Sequence, residues 1–328
     1  MLNKRIGIIG YRNHSKKIIN ELLKKNFDIF VFCYKDSKIS AEVLNKENKF
    51  NKITYTADIK KLFLCKLIFI SSPSKSHVKY IKLFASSNRY IFSEKPPAVN
   101  INEIMYLESL KNSIKKKIYF NFNYLHSDIY NNLSNLLFHK KHGKLINISI
   151  NASHGLFFKK SSINDWRLEQ KNVFDNILGN LGIHYVNILI NLFGNIKNKY
   201  SKFSSNAKKN KLDTYLGVFE TKKNVTISIF LSYASMHSQE MKFFFTNSII
   251  EYSNKKLIEY NPRDYFDQNG SFIRPPKKLI SNNLDLSKKS LSNSINYFIN
   301  ITNKNKNFSL KNYNDAINSV KVILSSKS

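Results

Sequence analysis

Tyr90-Ile91-Phe92-Ser93-Glu94-Lys95-Pro96-Pro97 reads as a strand that runs into a charged pair and is stopped by two prolines. Aromatic and β-branched residues suit extended backbone, and the residue before a proline is held extended as well. Lys95 therefore belongs at the carboxyl end of a strand. In an open parallel sheet that end faces the ligand crevice. A single lysine beside a turn is ordinarily a solvated surface charge, so the weight of this one depends on its company along the chain.

Upstream, the apolar run Arg5 to Ile9 ends at Gly10. It is followed by Tyr11-Arg12-Asn13-His14-Ser15-Lys16-Lys17 and by the helical spacing of Ile18, Ile19, Leu22 and Leu23. Strand, tight turn and helix form the context in which a pyrophosphate sits on a helix N-terminus. Of the three glycine positions in G-x-G-x-x-G only Gly10 is glycine. Arg12 and Ser15 hold the other two, and a plain β–α turn suits these residues equally. Phe27 to Tyr34 reads as the second strand. An NAD-preferring site places a carboxylate at its tip, on the ribose hydroxyls; here the tip carries Tyr34 and Lys35. With Arg12 in the neighbouring turn, the two cations favour a 2′-phosphate, and so NADP over NAD.

Leu67 to Pro73 is an apolar strand running through Ser71, Ser72 and Pro73 into a helix at Val78 to Ser86. Those hydroxyls and the proline fit a turn whose backbone passes a cofactor; His77 also suits a simple helix start. Downstream of Pro97 a helix is expected at Ile101 to Ser113 and a last strand at Ile118 to Asn123. Strands alternating with helices at this spacing indicate a doubly wound, parallel, Rossmann-type sheet over residues 1–122.

Beyond residue 123 the rhythm changes. Leu145 to Ser153 alternates apolar and polar residues, as a half-buried strand does. Further strands are expected at Tyr215–Phe219, Val225–Ser232, Met241–Phe245 and Ser248–Tyr252. Helices are expected near Asp128–His139, Phe174–Phe193, Leu291–Ile301 and Tyr313–Ser325. Short strands without crossover helices indicate an α+β domain over 123–328, with a mostly antiparallel sheet and helices on one face.

Between Lys171 and Lys197 there is no Lys or Arg, in a chain that has 53 among 328 residues. A run of that kind is not a solvent-facing helix. Within it Asn180, His184, Asn187 and Asn191 fall on one helical face. Such a polar stripe either finds buried hydrogen-bond partners or lines a pocket. Histidine is the side chain best suited to carry a proton near neutral pH.

The net charge of +31 would suit an anionic partner. The excess, however, is mostly lysine scattered over the chain and mixed with abundant Asn, Ile, Phe and Tyr. That is the composition of an AT-rich coding sequence, and no nucleic-acid-binding signature accompanies it. We expect no nucleic-acid partner. No apolar run approaches the roughly 18–20 residues of a membrane span. The two cysteines, Cys33 and Cys65, have neither metal spacing nor a disulfide framework, and a reducing cytoplasm is the expected compartment.

Taken in order, Ile6-Gly-Ile-Ile-Gly10, Ser72-Pro-Ser with His77, Glu94-Lys95-Pro96, Asn121-Phe-Asn-Tyr124, Trp166-Arg167 and Leu178-Gly-Asn-Leu-Gly-Ile-His184 resemble the Gfo/Idh/MocA family of sugar oxidoreductases. The resemblance spans nearly the whole chain. It implies a Rossmann domain followed by an open-faced antiparallel sheet domain, and hydride transfer between NAD(P) and a hydroxyl or carbonyl carbon of a sugar or nucleotide-sugar. Surface-polysaccharide sugar biosynthesis is one setting for such chemistry. The cofactor residues it implies are Gly10, Arg12, Asn13, His14, Tyr34, Lys35, Ser72, Pro73, His77, Glu94, Lys95 and Asn123. It implies catalytic roles for Lys95 and His184, with Asn180 orienting. Tyr124, Trp166 and Arg167 would join Lys95 and His184 at the substrate. It also implies a homo-oligomer paired through the outer face of the second sheet. The family commonly has Asp where this chain has Asn180 and Asn187, and Asn cannot take a proton. A non-catalytic sugar- or nucleotide-binding member of the same fold is therefore the alternative.

Overall fold

A computed structural model describes residues 5–33, 41–47, 51–159, 174–207, 211–261, 266–273 and 275–326. The chain divides into two compact units. One is Met1–Asn123 with Leu291–Ile317; the other is Tyr124–Ser290 with Asn318–Ser328. The division expected at residue 122/123 does not include the C-terminal return to the first unit.

The first unit contains β1 (Arg5–Ile9), β2 (Asp28–Phe32), β3 (Ile53–Thr56), β4 (Leu67–Ile70), β5 (Tyr90–Glu94) and β6 (Ile118–Asn121). They form a sheet of order β3-β2-β1-β4-β5-β6 in which the paired strands are all parallel. Strand order runs outward in opposite directions from β1 and β4, so the topological switch point lies between their carboxyl ends, where open α/β sheets bind ligands. The helices of this part are α1 (Asn13–Leu23), α2 (Ala41–Glu47), α3 (His77–Ala85), α4 (Ile101–Ser109) and α5 (Asn112–Lys115). The single helix expected over 101–113 is broken at Leu110, whose backbone is extended. β3 and α2 were not expected; a four-residue strand, Ile-Thr-Tyr-Thr, is too short to show a period. β4 and β5 are buried along their whole length, as strands covered on both faces must be.

Later elements are α6 (Asp128–Leu136), β7 (Leu145–Ser153), α7 (Ile183–Phe193), β8 (Ile196–Ser204), β9 (Thr214–Thr221), β10 (Thr226–Ser232), β11 (Ser238–Phe245), β12 (Ile249–Ser253), β13 (Lys256–Tyr260), β14 (Lys277–Ser281), α8 (Ser290–Asn303) and α9 (Leu310–Ser325). The second sheet has the order β14-β13-β12-β11-β7-β10-β9-β8. Among the described residues β7 and β10 pair in parallel and the other pairs of this sheet are antiparallel. The alternation read in β7 is the alternation of its faces, with Ile148, Ile150 and Ala152 buried and Asn147, Ser149 and Asn151 less covered. β8, β13 and β14 were not expected. β8 forms one edge, and its lysines at 197, 199 and 202 mask the alternation while guarding that edge.

α8 brings Phe298 into the core of the first unit. Its ring stacks on Phe308 (5.3 Å between centroids, 9° between planes) and meets Phe69 and Phe92 edge-on. Among the described residues no helix is long and apolar enough to cross a membrane.

Candidate functional site

The carboxyl ends of β1, β4 and β5 gather most of the residues assigned to the cofactor. Gly10 follows β1 with φ +107°, and a Cβ there would stand 2.8 Å from the Ser71 carbonyl oxygen. Only glycine allows both the turn and the approach. Ser15, in the place of the third glycine, is fully buried. Its hydroxyl donates to Ser71 Oγ at 3.1 Å, which fastens α1 to the loop after β4. This small side chain thus does the helix–strand packing for which that position is usually glycine.

α1 starts without help from side chains. Arg12 at its N-cap makes no capping hydrogen bond, and the first turn holds no acidic residue. By contrast, α4 is capped by Asn100 and α6 by Ser127. Uncapped N–H groups and the helix dipole favour an anion. Arg12, Asn13 and His14 around them are exposed. The donor set therefore fits the pyrophosphate of a dinucleotide.

Glu94 ends β5 as a buried carboxylate. His14 Nε2 lies 2.8 Å from its Oε1, and Asn121 Nδ2 donates to the same oxygen at 2.7 Å. Ser294 Oγ donates to Asn121 Oδ1 at 2.6 Å, and Tyr119 Oη lies 2.8 Å from Ser294 Oγ. Burial pushes the Glu94 carboxyl up, but the charge of His14 and the hydrogen bonds of His14 and Asn121 hold it below the usual carboxylate range. Conversely, the Glu94 charge raises the His14 pKa above 6.5, against partial desolvation. Lys95 follows immediately, before Pro96.

His77 is buried. Its Nδ1 lies 2.9 Å from the Pro96 carbonyl oxygen and its Nε2 2.9 Å from that of Ser72. It ties the loop after β4 to the loop that carries Lys95. Ser72 Oγ and the Pro73 carbonyl in turn accept from Ser76 Oγ at 2.8 and 2.7 Å. Asn123 opens a short 3-10 turn, Asn123–His126, after β6. Tyr34 and Lys35 lie outside the described residues, as do Trp166 and Arg167.

In the second unit the expected helix over 174–193 is not one α-helix. Leu178–Gly182 is a π-turn, and α7 starts at Ile183. A Cβ on Gly182 would meet Leu231 of β10 at 2.7 Å, so this glycine permits the close packing of the turn on the sheet. Asn180 Nδ2 donates to Tyr233 Oη at 2.9 Å. The His184 ring stacks on Tyr124, 4.3 Å between centroids and 23° between planes. Asn187 is buried and donates to Ser319 Oγ at 3.0 Å. Asn191 accepts from the Tyr130 hydroxyl. The stripe thus has both outcomes: Asn187 and Asn191 are tied into packing, whereas Asn180 is half-exposed and His184 lies against an aromatic ring. Tyr233 and Asn121 were not singled out as site residues. No local signal marks Tyr233, which follows β10 and meets Asn180 only through the fold.

The sequence of residues 4–122 matches the model of the oxidoreductase family with an NAD-binding Rossmann fold. Residues 130–251 match the Gfo/Idh/MocA C-terminal domain.

The chain belongs to the Gfo/Idh/MocA family.

A search of curated proteins finds no match. Among solved structures, KijD10, a 3-ketoreductase from Actinomadura kijaniata in complex with NADP and TDP-benzene, is 10% identical with a TM-score of 0.76, covering 98% of this chain and 96% of that one. UDP-N-acetylglucosamine 3-dehydrogenase GnnA from Acidithiobacillus ferrooxidans is 13% identical with a TM-score of 0.73, covering 98% and 97%. An oxidoreductase from Agrobacterium radiobacter in complex with NAD+, L-tartaric acid and magnesium is 12% identical with a TM-score of 0.77, covering 98% and 96%. At these identities the likeness is one of fold. The Rossmann sheet and the mostly antiparallel second sheet are the architecture of this family.

Proposed function

We propose that this Gfo/Idh/MocA oxidoreductase transfers a hydride between NAD(P) and a hydroxyl or carbonyl carbon of a sugar, a nucleotide-sugar being the first class to test. The observation that carries the reading is the uncapped start of α1 beside Gly10, at the switch point of the sheet, with Lys95 at the end of β5. The nicotinamide, when bound, supplies the hydride chemistry. Arg12, Asn13 and His14 hold the pyrophosphate by charge and backbone N–H groups. Glu94 is fixed by His14 and Asn121 to accept a ribose hydroxyl. Lys95 or His184 carries the proton that leaves or joins the substrate oxygen, and Tyr124 keeps the His184 imidazole in plane. Asn180 orients a substrate hydroxyl. NADP is favoured over NAD through Arg12 and Lys35. The chain works in the cytoplasm on a small molecule, as a homo-oligomer. A sugar-binding protein without turnover is the second reading. It is favoured by Asn180, whose amide donates to Tyr233 and cannot serve as a base.

A fluorescence titration with NADPH and NADH, followed by a screen of nucleotide-sugars, tests the proposal. NADPH binding and turnover that Lys95→Ala abolishes, with cofactor binding kept, are the expected results. Full activity of Lys95→Ala would overturn the assignment of that residue. Failure of both nucleotides to bind would overturn the enzyme reading.

A further inference from the structure

α8 buries Ser290, Ser294, Phe298 and Thr302 completely. They recur at every fourth position and so share one face of the helix. A buried serine or threonine hydroxyl on a helix ordinarily returns to nearby backbone, as Ser290 does to the Ser287 carbonyl and Thr302 to that of Ile299. Ser294 does otherwise. Its hydroxyl donates to Asn121 Oδ1 at 2.6 Å, across 173 residues of chain.

Asn121 closes β6 beside Glu94 of β5, its partner in register. An ionised carboxylate only accepts hydrogen bonds, and Glu94 is ionised at neutral pH, its carboxyl being held below the usual range. Asn121 must therefore turn Nδ2, and not Oδ1, toward Glu94, and the contact is 2.7 Å. Oδ1 then faces a donor, which is Ser294. The single hydroxyl proton of Ser294 is used there, so Tyr119 Oη, 2.8 Å away, donates to Ser294 Oγ. Every direction in the series Tyr119, Ser294, Asn121, Glu94 follows from the charge at its end. This series and His14 meet on one oxygen, Glu94 Oε1. Among the described residues no donor reaches Oε2, and 11% of the Glu94 side chain stays exposed.

We propose that Asn121 and Ser294 are positioning residues of the dinucleotide site: they fix Oε1 of Glu94 within the fold and leave Oε2 to accept a ribose hydroxyl. The dinucleotide is that of the function proposed above. Asn121 and Ser294 are sealed from solvent, at 1% and 0% exposure, so they act through Glu94. Ser294 belongs to the return segment Leu291–Ile317. That segment thus completes the dinucleotide site as well as the core of the first unit.

Two measurements on the full chain decide it. The first is the Kd for NADPH and NADH from nicotinamide fluorescence. Ser294→Ala should raise it about three- to five-fold, near the worth of one hydrogen bond. In an Asn121→Leu background the same substitution should add less than about two-fold, because nothing remains to transmit its effect. Asn121→Ala takes the place of the leucine variant if that one does not fold. A native Kd in Ser294→Ala, or an equal rise in both backgrounds, would mark Ser294 as packing alone and overturn the proposal. The second measurement needs no ligand. The Asn121 side-chain amide signals are located in a 15N–1H spectrum by their loss in the Asn121 variant. One of the two protons should be protected from solvent exchange and should respond to the ionisation of Glu94. Ser294→Ala should speed that exchange about five-fold; unchanged exchange overturns the proposal. If the native protein binds neither nucleotide, the function proposed above fails, and the amide signals still decide whether Ser294 positions the Asn121–Glu94 pair.

Discussion

Glu94 shows how much one residue can depend on another far along the chain. Its carboxylate is buried and shares an oxygen with His14 and Asn121. The pair is charged between the lowered pKa of Glu94 and the raised pKa of His14. The stabilisation from His14 is complete below its unfolded pKa near 6.5 and is lost as pH rises through its folded value. That from Glu94 is complete above the usual glutamate range and is lost as pH falls through its lowered value. His14→Ala should therefore raise the Glu94 pKa and weaken nicotinamide-dinucleotide binding about five- to ten-fold, through loss of one charge-assisted contact. Histidine signals followed by NMR across pH, with a cofactor titration, check both; a His14 signal titrating at or below pH 6.5 in the native protein would contradict the pairing. Glu94 and Lys95 were legible as a strand end because a proline and two charges close an apolar run. The His14 partner was not, because nothing local selects it.

At the scale of elements, α7 and the π-turn before it are where periodicity misled. Asn180, His184, Asn187 and Asn191 were read as one α-helical stripe. The π-turn changes the phase at Asn180, and the remaining side chains meet Tyr124, Ser319 and Tyr130. The lysine-free run correctly signalled burial: in so lysine-rich a chain a helix that avoids lysine is one with little face left to water. It did not distinguish packing from chemistry, because both require buried polar groups to be satisfied. Asn187→Asp puts a charge beside Ser319 in a site with 1% exposure and should cost about 3 kcal/mol. Asn187→Leu combined with Ser319→Ala removes both partners together and should cost less. Denaturant unfolding of the two variants makes the comparison; equal costs would mean that losing the pair is as damaging as burying a charge, against the expectation.

For the whole molecule, the C-terminal return decides the integrity of the first unit. Phe298 is fully buried among Phe69, Phe92, Tyr119 and Phe308. Phe298→Ala should cost about 3–5 kcal/mol, measured by denaturant unfolding, and a cost below 1 kcal/mol would show that the return does not support the sheet. Acid should destabilise the protein through the wholly buried His77 and His142 and the partly buried His126. Burial lowers the pKa of His77 and His142, and that of His126 to about 4. Below about pH 6.5 the unfolded chain takes up protons that these folded sites refuse, so stability falls by about 1.4 kcal/mol per pH unit for each such site. His14 acts in the opposite direction. Melting temperatures between pH 7 and 5 should fall, and His126→Gln should flatten the decline.

The alternation of strands and helices in the first half, the change from parallel to antiparallel architecture near residue 123, and the strand-end position of Lys95 were determined by the sequence itself. Period, turn chemistry and proline act over a few residues, and a linear reading contains them. Tertiary structure alone decided that Glu94 meets His14 across 80 residues, Asn180 meets Tyr233 across 53, and Asn187 meets Ser319 across 132. A hydrogen bond acts over about 3 Å. Which distant groups come that close depends on strand order and helix phase, and these are set by the packing of the whole chain.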